Sequence, residues 1–190
     1  MDDSFLPSEP ARLAYAASTC LGIAPQFEAW RDQGRPATAE VPDSGEGIVP
    51  RRAAMTFIKP YLIRLSHCDP TGTVFYPNYF HIFNALVEDW FYEAIEIRFD
   101  EFLMARGLAL PTVRMEATFA KPTKMGETVD FWLTLSHVGR TSVRFTMGVD
   151  KNGEQRVRMN RIAVCTSQQT RAATVIPDDV REKMLAFMRE

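Results

Sequence analysis

Residues 67–79 read His67-Cys68-Asp69-Pro70-Thr71-Gly72-Thr73-Val74-Phe75-Tyr76-Pro77-Asn78-Tyr79, and the folding of this run decides the rest of the chain. Its first half is turn chemistry: Asp bonds neighbouring backbone, Pro fixes φ, and Gly accepts φ > 0. Its second half opens a helix. Tyr79, Phe83, Leu86, Trp90, Ala94 and Ile97 recur at helical spacing, which predicts one long helix over residues 78–97 with a continuous apolar face. The turn therefore sets one carboxylate, Asp69, beside a helix N-terminus, where unpaired N–H groups and partial positive charge collect. A carboxylate beside such donors suits attack on a carbonyl whose oxygen the donors hold, or the direction of water at it.

Upstream, residues 55–65 suggest a strand in which Pro60 demands an edge or a bulge. Downstream, Val113, Met115, Ala117 and Phe119 alternate with polar residues, as do Val129, Phe131, Leu133 and Leu135, and then Val143, Phe145, Met147 and Val149. Each set predicts a strand with one buried face. Asp150-Lys151-Asn152-Gly153 reads as a hairpin turn. The next strand changes phase between Val157 and Met159 on one side and Ile162 and Val164 on the other, which predicts a bulge near Asn160 or Arg161. Pro177 and Asp178 begin a short C-terminal helix that runs to Met188. One helix followed by consecutive antiparallel strands is an α+β layer architecture.

Residues 1–50 read differently. Short helices are expected over 11–21 and 26–32, and 34–50 is a Gly-, Pro-, Ser- and Glu-rich linker. The expected organisation is an extension over 1–50, a domain over 51–177 and the C-terminal helix over 178–190. A net charge of −2 gives no general attraction to nucleic acid or an anionic membrane surface. No apolar run approaches membrane-span length. Cys20, Cys68 and Cys165 form neither a disulfide framework nor a metal-ligand spacing, so a reducing cytoplasmic setting is the simplest expectation. No Gly-x-Ser-x-Gly elbow is present, which disfavours a serine hydrolase of that type.

The longer pattern, Asp-Pro-x-Gly-x-Val-aromatic-Tyr-Pro-Asn-Tyr followed by the helical Trp90, closely resembles the 4-hydroxybenzoyl-CoA thioesterase family of hotdog-fold proteins, with Gly72, Val74, Tyr76, Asn78 and Tyr79 in the matching places. The resemblance is strongest over residues 61–92 and extends to about 177. It implies a central helix wrapped by a curved antiparallel sheet of about five strands. It also implies acyl-CoA hydrolysis by a homodimer or homotetramer, with no cofactor and no metal. Asp69 is then the nucleophile or general base, and the backbone N–H near Tyr76 polarises the thioester carbonyl. Gly72, Val74 and Phe75 line the substrate site, and Arg140 and Arg171 are the nearest matches for cations that hold the CoA phosphates. Asn84 stands where the 4-hydroxybenzoyl enzyme has a helix carboxylate facing the phenolic hydroxyl, so a different acyl group is implied. Related hotdog thioesterases use a helix carboxylate for catalysis, which makes Glu88 and Asp89 the rival candidates. Rival functions are a non-catalytic acyl-thioester-binding module and a thioesterase acting on acyl carrier protein.

Overall fold

The computed structural model describes residues 55–189. The helices expected over 11–21 and 26–32, and the linker over 34–50, lie outside these residues. In chain order the elements are β1 (Phe57–Leu62), α1 (Tyr76–Glu93), β2 (Leu108–Ala109), β3 (Thr112–Phe119), β4 (Thr128–Val138), β5 (Ser142–Lys151), β6 (Glu154–Val164), β7 (Thr166–Ser167) and α2 (Asp178–Arg189). Five strands form one antiparallel sheet in the order β1-β4-β5-β6-β3, and β2 pairs with β7 apart from it. Pro60 sits on β1, at the sheet edge, opposite Asp130, where its missing N–H costs no ladder bond on the open side. Asn152 and Gly153 turn β5 into β6 with φ of 51° and 78°, the paired left-handed geometry of a two-residue hairpin.

The apolar stripe of α1 lies against the inward face of this sheet. Tyr79, Phe83, Leu86, Val87, Trp90 and Phe91 are buried. Phe83 meets Phe131 of β4 with ring centroids 5.2 Å apart, and Trp90 meets Phe145 of β5 at 5.6 Å. From α2, Val180, Met184 and Phe187 are buried, and Phe187 reaches Trp90 at 5.6 Å. A helix wrapped by a curved five-stranded antiparallel sheet is the expected hotdog arrangement.

Three local expectations are corrected. The helix spans 76–93 rather than 78–97. Pro77 fits its first turn, where no intrahelical N–H is needed, and Glu96 at φ 52° breaks the helical path. Ile95 and Ile97 remain buried beyond that break. Secondly, among the described residues β3 has no buried apolar face: Val113 and Met115 are each 36% exposed and Phe119 46%, because β3 is the edge strand of the described sheet. Finally, β6 has no bulge at Asn160 or Arg161, and its pairing with both neighbours runs unbroken from Val157 to Ile162. Val157, Met159, Arg161 and Ala163 all face inward and are buried. The apparent change of phase is an arginine occupying a core-facing position.

Candidate active site

The site begins as a small hairpin. Asp69 N–H donates to Thr73 O at 2.9 Å, Cys68 pairs with Val74, and Phe75 N–H donates to His67 O at 3.0 Å. Gly72 closes the turn at φ 76°. A Cβ placed there would meet nothing within 4 Å, so it is the positive φ of the turn, and not a steric clash, that calls for glycine at position 72. The hairpin is stitched to the chain between β3 and β4, since Val74 N–H donates to Thr123 O at 2.9 Å and Met125 N–H to Gly72 O at 3.0 Å. Asn78 Nδ2 donates to His67 O at 2.9 Å and ties the first turn of α1 to the same hairpin.

Asp69 is held from one side. Its Oδ1 accepts Thr71 N–H at 2.8 Å and Thr71 Oγ1 at 2.5 Å. The Thr71 hydroxyl, with the Thr71 N–H after it, holds the carboxyl below the usual aspartate range, because donors stabilise the charged form. The neighbouring thiol is a poor nucleophile. Burial, with the Asp69 charge second, raises the pKa of Cys68, and its Sγ lies 3.5 Å from Arg64 O. His67 is drawn toward neutrality by burial and then by Arg64. Its Nδ1 accepts Arg64 N–H at 3.0 Å, which leaves the proton on Nε2.

The start of α1 supplies one donor. Phe75 N–H is spent on His67 O and Asn78 N–H turns back to Phe75 O at 2.8 Å, while Pro77 has no N–H. Tyr76 N–H, at the first helical position, has no acceptor among the described residues. By the ladder, Asp69 stands two pair-steps from Phe75, about 7 Å at the rise of a strand. Beside them opens a cleft of about 260 Å³ lined by Val74, Tyr76, Tyr79, Phe119, Ala120, Lys121 and Pro122. Phe75 is exposed, with its ring 5.3 Å from that of Tyr76.

The remaining expected residues stand elsewhere. Arg140 is exposed in the turn between β4 and β5, and Arg171 is exposed after β7 at φ 55°. Their loops adjoin, since Cys165 N–H donates to Thr141 O and Ile176 N–H to Arg140 O. This is the far end of β4 from the Asp69 hairpin, roughly 30 Å along the strand. Within one chain the two arginines do not meet the cleft. Asp89 lies 3.8 Å from Lys59 of β1, which also pairs with Glu93, so it belongs to a surface ion cluster. Glu88 is exposed on α1. Asn84 is engaged by a residue the alternation misread: Arg161 Nη1 donates to Asn84 Oδ1 at 2.8 Å. The signal was present in the sequence, as an arginine at an odd position in phase with Val157 and Met159.

A curved antiparallel sheet wrapped around one helix defines a hotdog protein. The profile of the Thioesterase-like superfamily matches residues 63–184, and the chain belongs to that superfamily. No curated protein matches it. Among solved structures, it is similar to a 1,4-dihydroxy-2-naphthoyl-CoA thioesterase from Synechocystis, with TM-score 0.63 and 17% identity over 68% of this chain and 96% of that one. It is also similar to a gentisyl-coenzyme A thioesterase, with TM-score 0.60 and 20% identity over 66% and 99% of the two chains. A Staphylococcus aureus protein solved in complex with CoA matches with TM-score 0.66 and 14% identity over 74% and 89%. At such identities the likeness establishes the fold. Among the described residues no helix is long and apolar enough to cross a membrane.

Proposed function

We propose that this chain hydrolyses acyl-CoA thioesters to the free acid and CoA. The observation that carries the reading is an ionised Asp69, gripped at Oδ1 by Thr71, in the hairpin that leads into the start of α1, where the Tyr76 N–H has no acceptor among the described residues and Tyr76 lines an apolar cleft. Tyr76 N–H donates to the thioester oxygen as negative charge develops there. Asp69 acts through Oδ2. It attacks the carbonyl carbon, the C–S bond breaks, CoA leaves as thiolate, and water opens the resulting mixed anhydride to free acid and carboxylate. The alternative step has Asp69 take a proton from water as that water attacks the carbonyl. Both courses need Asp69 ionised, and the donors that lower its pKa keep it so at neutral pH.

The test is thiol release from a panel of aromatic, short-chain and long-chain acyl-CoAs, with Asp69→Ala in parallel. The variant is expected to fold normally and to lose about 10³-fold in kcat, on the order of 4 kcal/mol of transition-state stabilisation. Quenching with hydroxylamine should leave a hydroxamate on Asp69 if the anhydride forms. Thiol release that survives Asp69→Ala and disappears in Glu88→Gln would transfer the role to the helix.

A further inference from the structure

Thr71 and Thr73 flank Gly72 in the Asp69 turn, and the pattern Asp-Pro-x-Gly-x-Val specifies neither of them. Their hydroxyls lie 3.0 Å apart. The Thr73 backbone is fixed from two sides. Its O accepts Asp69 N–H at 2.9 Å across the hairpin, and it bridges to Lys124 on the segment between β3 and β4. Beside it, Met125 N–H donates to Gly72 O at 3.0 Å. These contacts are all made by backbone, so the Thr73 hydroxyl is not needed to build the turn.

The direction of the contact between the hydroxyls follows from proton counting. A threonine hydroxyl has one proton and two lone pairs, and an ionised carboxylate can only accept. The Thr71 proton is spent on Asp69 Oδ1, at 2.5 Å. Thr73 Oγ1 must therefore donate to Thr71 Oγ1, and the chain runs one way, from Thr73 through Thr71 to Asp69. A hydroxyl that accepts a hydrogen bond becomes a stronger donor. The Thr73 proton also removes the alternative in which Thr71 turns its own proton toward Thr73 and faces Asp69 with a lone pair. Thr71 N–H reaches the same Oδ1 at 2.8 Å, so two donors converge on one oxygen. The Thr71 hydroxyl is the first cause of the lowered Asp69 pKa, its N–H the second, and the Thr73 backbone adds a smaller share. The other ionisable groups around the turn are His67 and Cys68 on its first strand, Arg64 before it, Tyr76 after it, and Lys124 with Glu127 on the segment beside Thr73. Among the described residues none of these is hydrogen-bonded or ion-paired to Asp69.

We propose that Thr73 is a positioning residue for hydrolysis: by donating to Thr71 Oγ1 it commits the Thr71 proton to Asp69 Oδ1, and so fixes the orientation and the charge of the reacting carboxylate. This rests on the acyl-CoA reading above. The Thr73 hydroxyl acts through Thr71 rather than on Asp69 directly. Without it the Thr71 hydroxyl is free to rotate, and the grip on Oδ1 is left chiefly to the Thr71 N–H.

The test titrates the Asp69 carboxyl directly, by NMR of its carboxyl carbon in the full chain, beside the pH profile of kcat/KM for benzoyl-CoA. Asp69→Asn assigns the signal. Thr73→Val keeps the branched shape and removes the hydroxyl. The Asp69 pKa and the acid limb should both rise, because donors stabilise the charged form, and by less than in Thr71→Val, which loses the direct donor. Thr73→Ser should titrate as the wild type does. Combined with Thr71→Val, Thr73→Val should add nothing, because the group through which it acts is already gone. A Thr73→Val carboxyl that titrates as in the wild type overturns the inference. So does a shift that adds in full to that of Thr71→Val, which would give Thr73 an independent effect. Thiol release that persists in either case leaves the thioesterase reading standing. No thiol release from any acyl-CoA overturns that reading, and the role of Thr73 in hydrolysis with it.

Discussion

The Thr71 hydroxyl and N–H that grip Asp69 Oδ1 govern how hydrolysis should respond to acid. Asp69 must be ionised to react, and its pKa is depressed in the folded chain. Activity is then present above that depressed value and lost only as pH falls through it. The acid limb of kcat/KM should lie below the ordinary aspartate value of about 3.9. Thr71→Val removes the hydroxyl, the largest cause of the depression, and should move the limb upward with little change in the neutral plateau. A limb that stays in place in Thr71→Val would mean that another group titrates. The turn that holds Asp69 was legible in the run 67–79, because Pro70 and Gly72 restrict the backbone locally. The hydroxyl contact was not legible, because it depends on a side-chain orientation that the turn alone does not dictate.

Elements were legible where alternation along one strand decides burial, and misread where a neighbouring strand decides it. The inward residues of β4 and β5 alternate as a half-buried strand requires, and Val129, Phe131, Leu133, Val143 and Met147 are buried as expected. Trp132, placed by alternation among the outward residues, is nevertheless buried. It lies flat over Gly148 of β5, with Arg158 stacked 4.5 Å from its ring and its Nε1–H donated to Asp150 Oδ2 at 2.9 Å. A cross-strand glycine makes room for the indole, a relation that periodicity along one strand does not contain. A Cβ at Gly148 would fall 2.4 Å from Trp132 Cζ2. Gly148→Ala should therefore destabilise by about 1–3 kcal/mol through overpacking, read as a lower denaturant midpoint with an unchanged m-value. Gly148→Ala combined with Trp132→Ala should recover part of the loss. Additive losses would show that the two residues do not press on one another. Arg161 is the converse case: its inward place on β6 follows from phase, yet an arginine there contradicts the usual composition of a core, so the pattern suggested a bulge.

Among the described residues, the β3 edge of the sheet is an apolar one. β3 presents an unpaired backbone edge together with Val113, Met115 and Phe119, all exposed within the chain. Long, flat apolar edges are normally paired or covered. The cleft beside the Tyr76 N–H is bounded by Phe119 at the end of that edge, so a surface that buried β3 would also adjoin the site. Arg140 stands at the opposite end of β4 from its own chain's Asp69 hairpin, so any contact it makes with the nucleotide of CoA belongs to an assembly rather than to one chain. Arg140→Ala should then raise KM for acyl-CoA more than it lowers kcat, since remote phosphate contacts bind ground and transition states alike. The defect should shrink with acyl-pantetheine, and an equal defect with both substrates would assign Arg140 a structural role. We expect the chain to be a homodimer or homotetramer joined along β3, with the sheet continued across a two-fold axis. Val113→Lys together with Met115→Lys puts like charges face to face across such an axis and should yield monomers in sedimentation while the near-ultraviolet signal of the Trp90 core persists. Those monomers should lose thiol release even though Asp69, Thr71 and Tyr76 are untouched. A wild type that sediments as a monomer at micromolar concentration with full activity would overturn the assembly, and with it the explanation for the exposed face of β3.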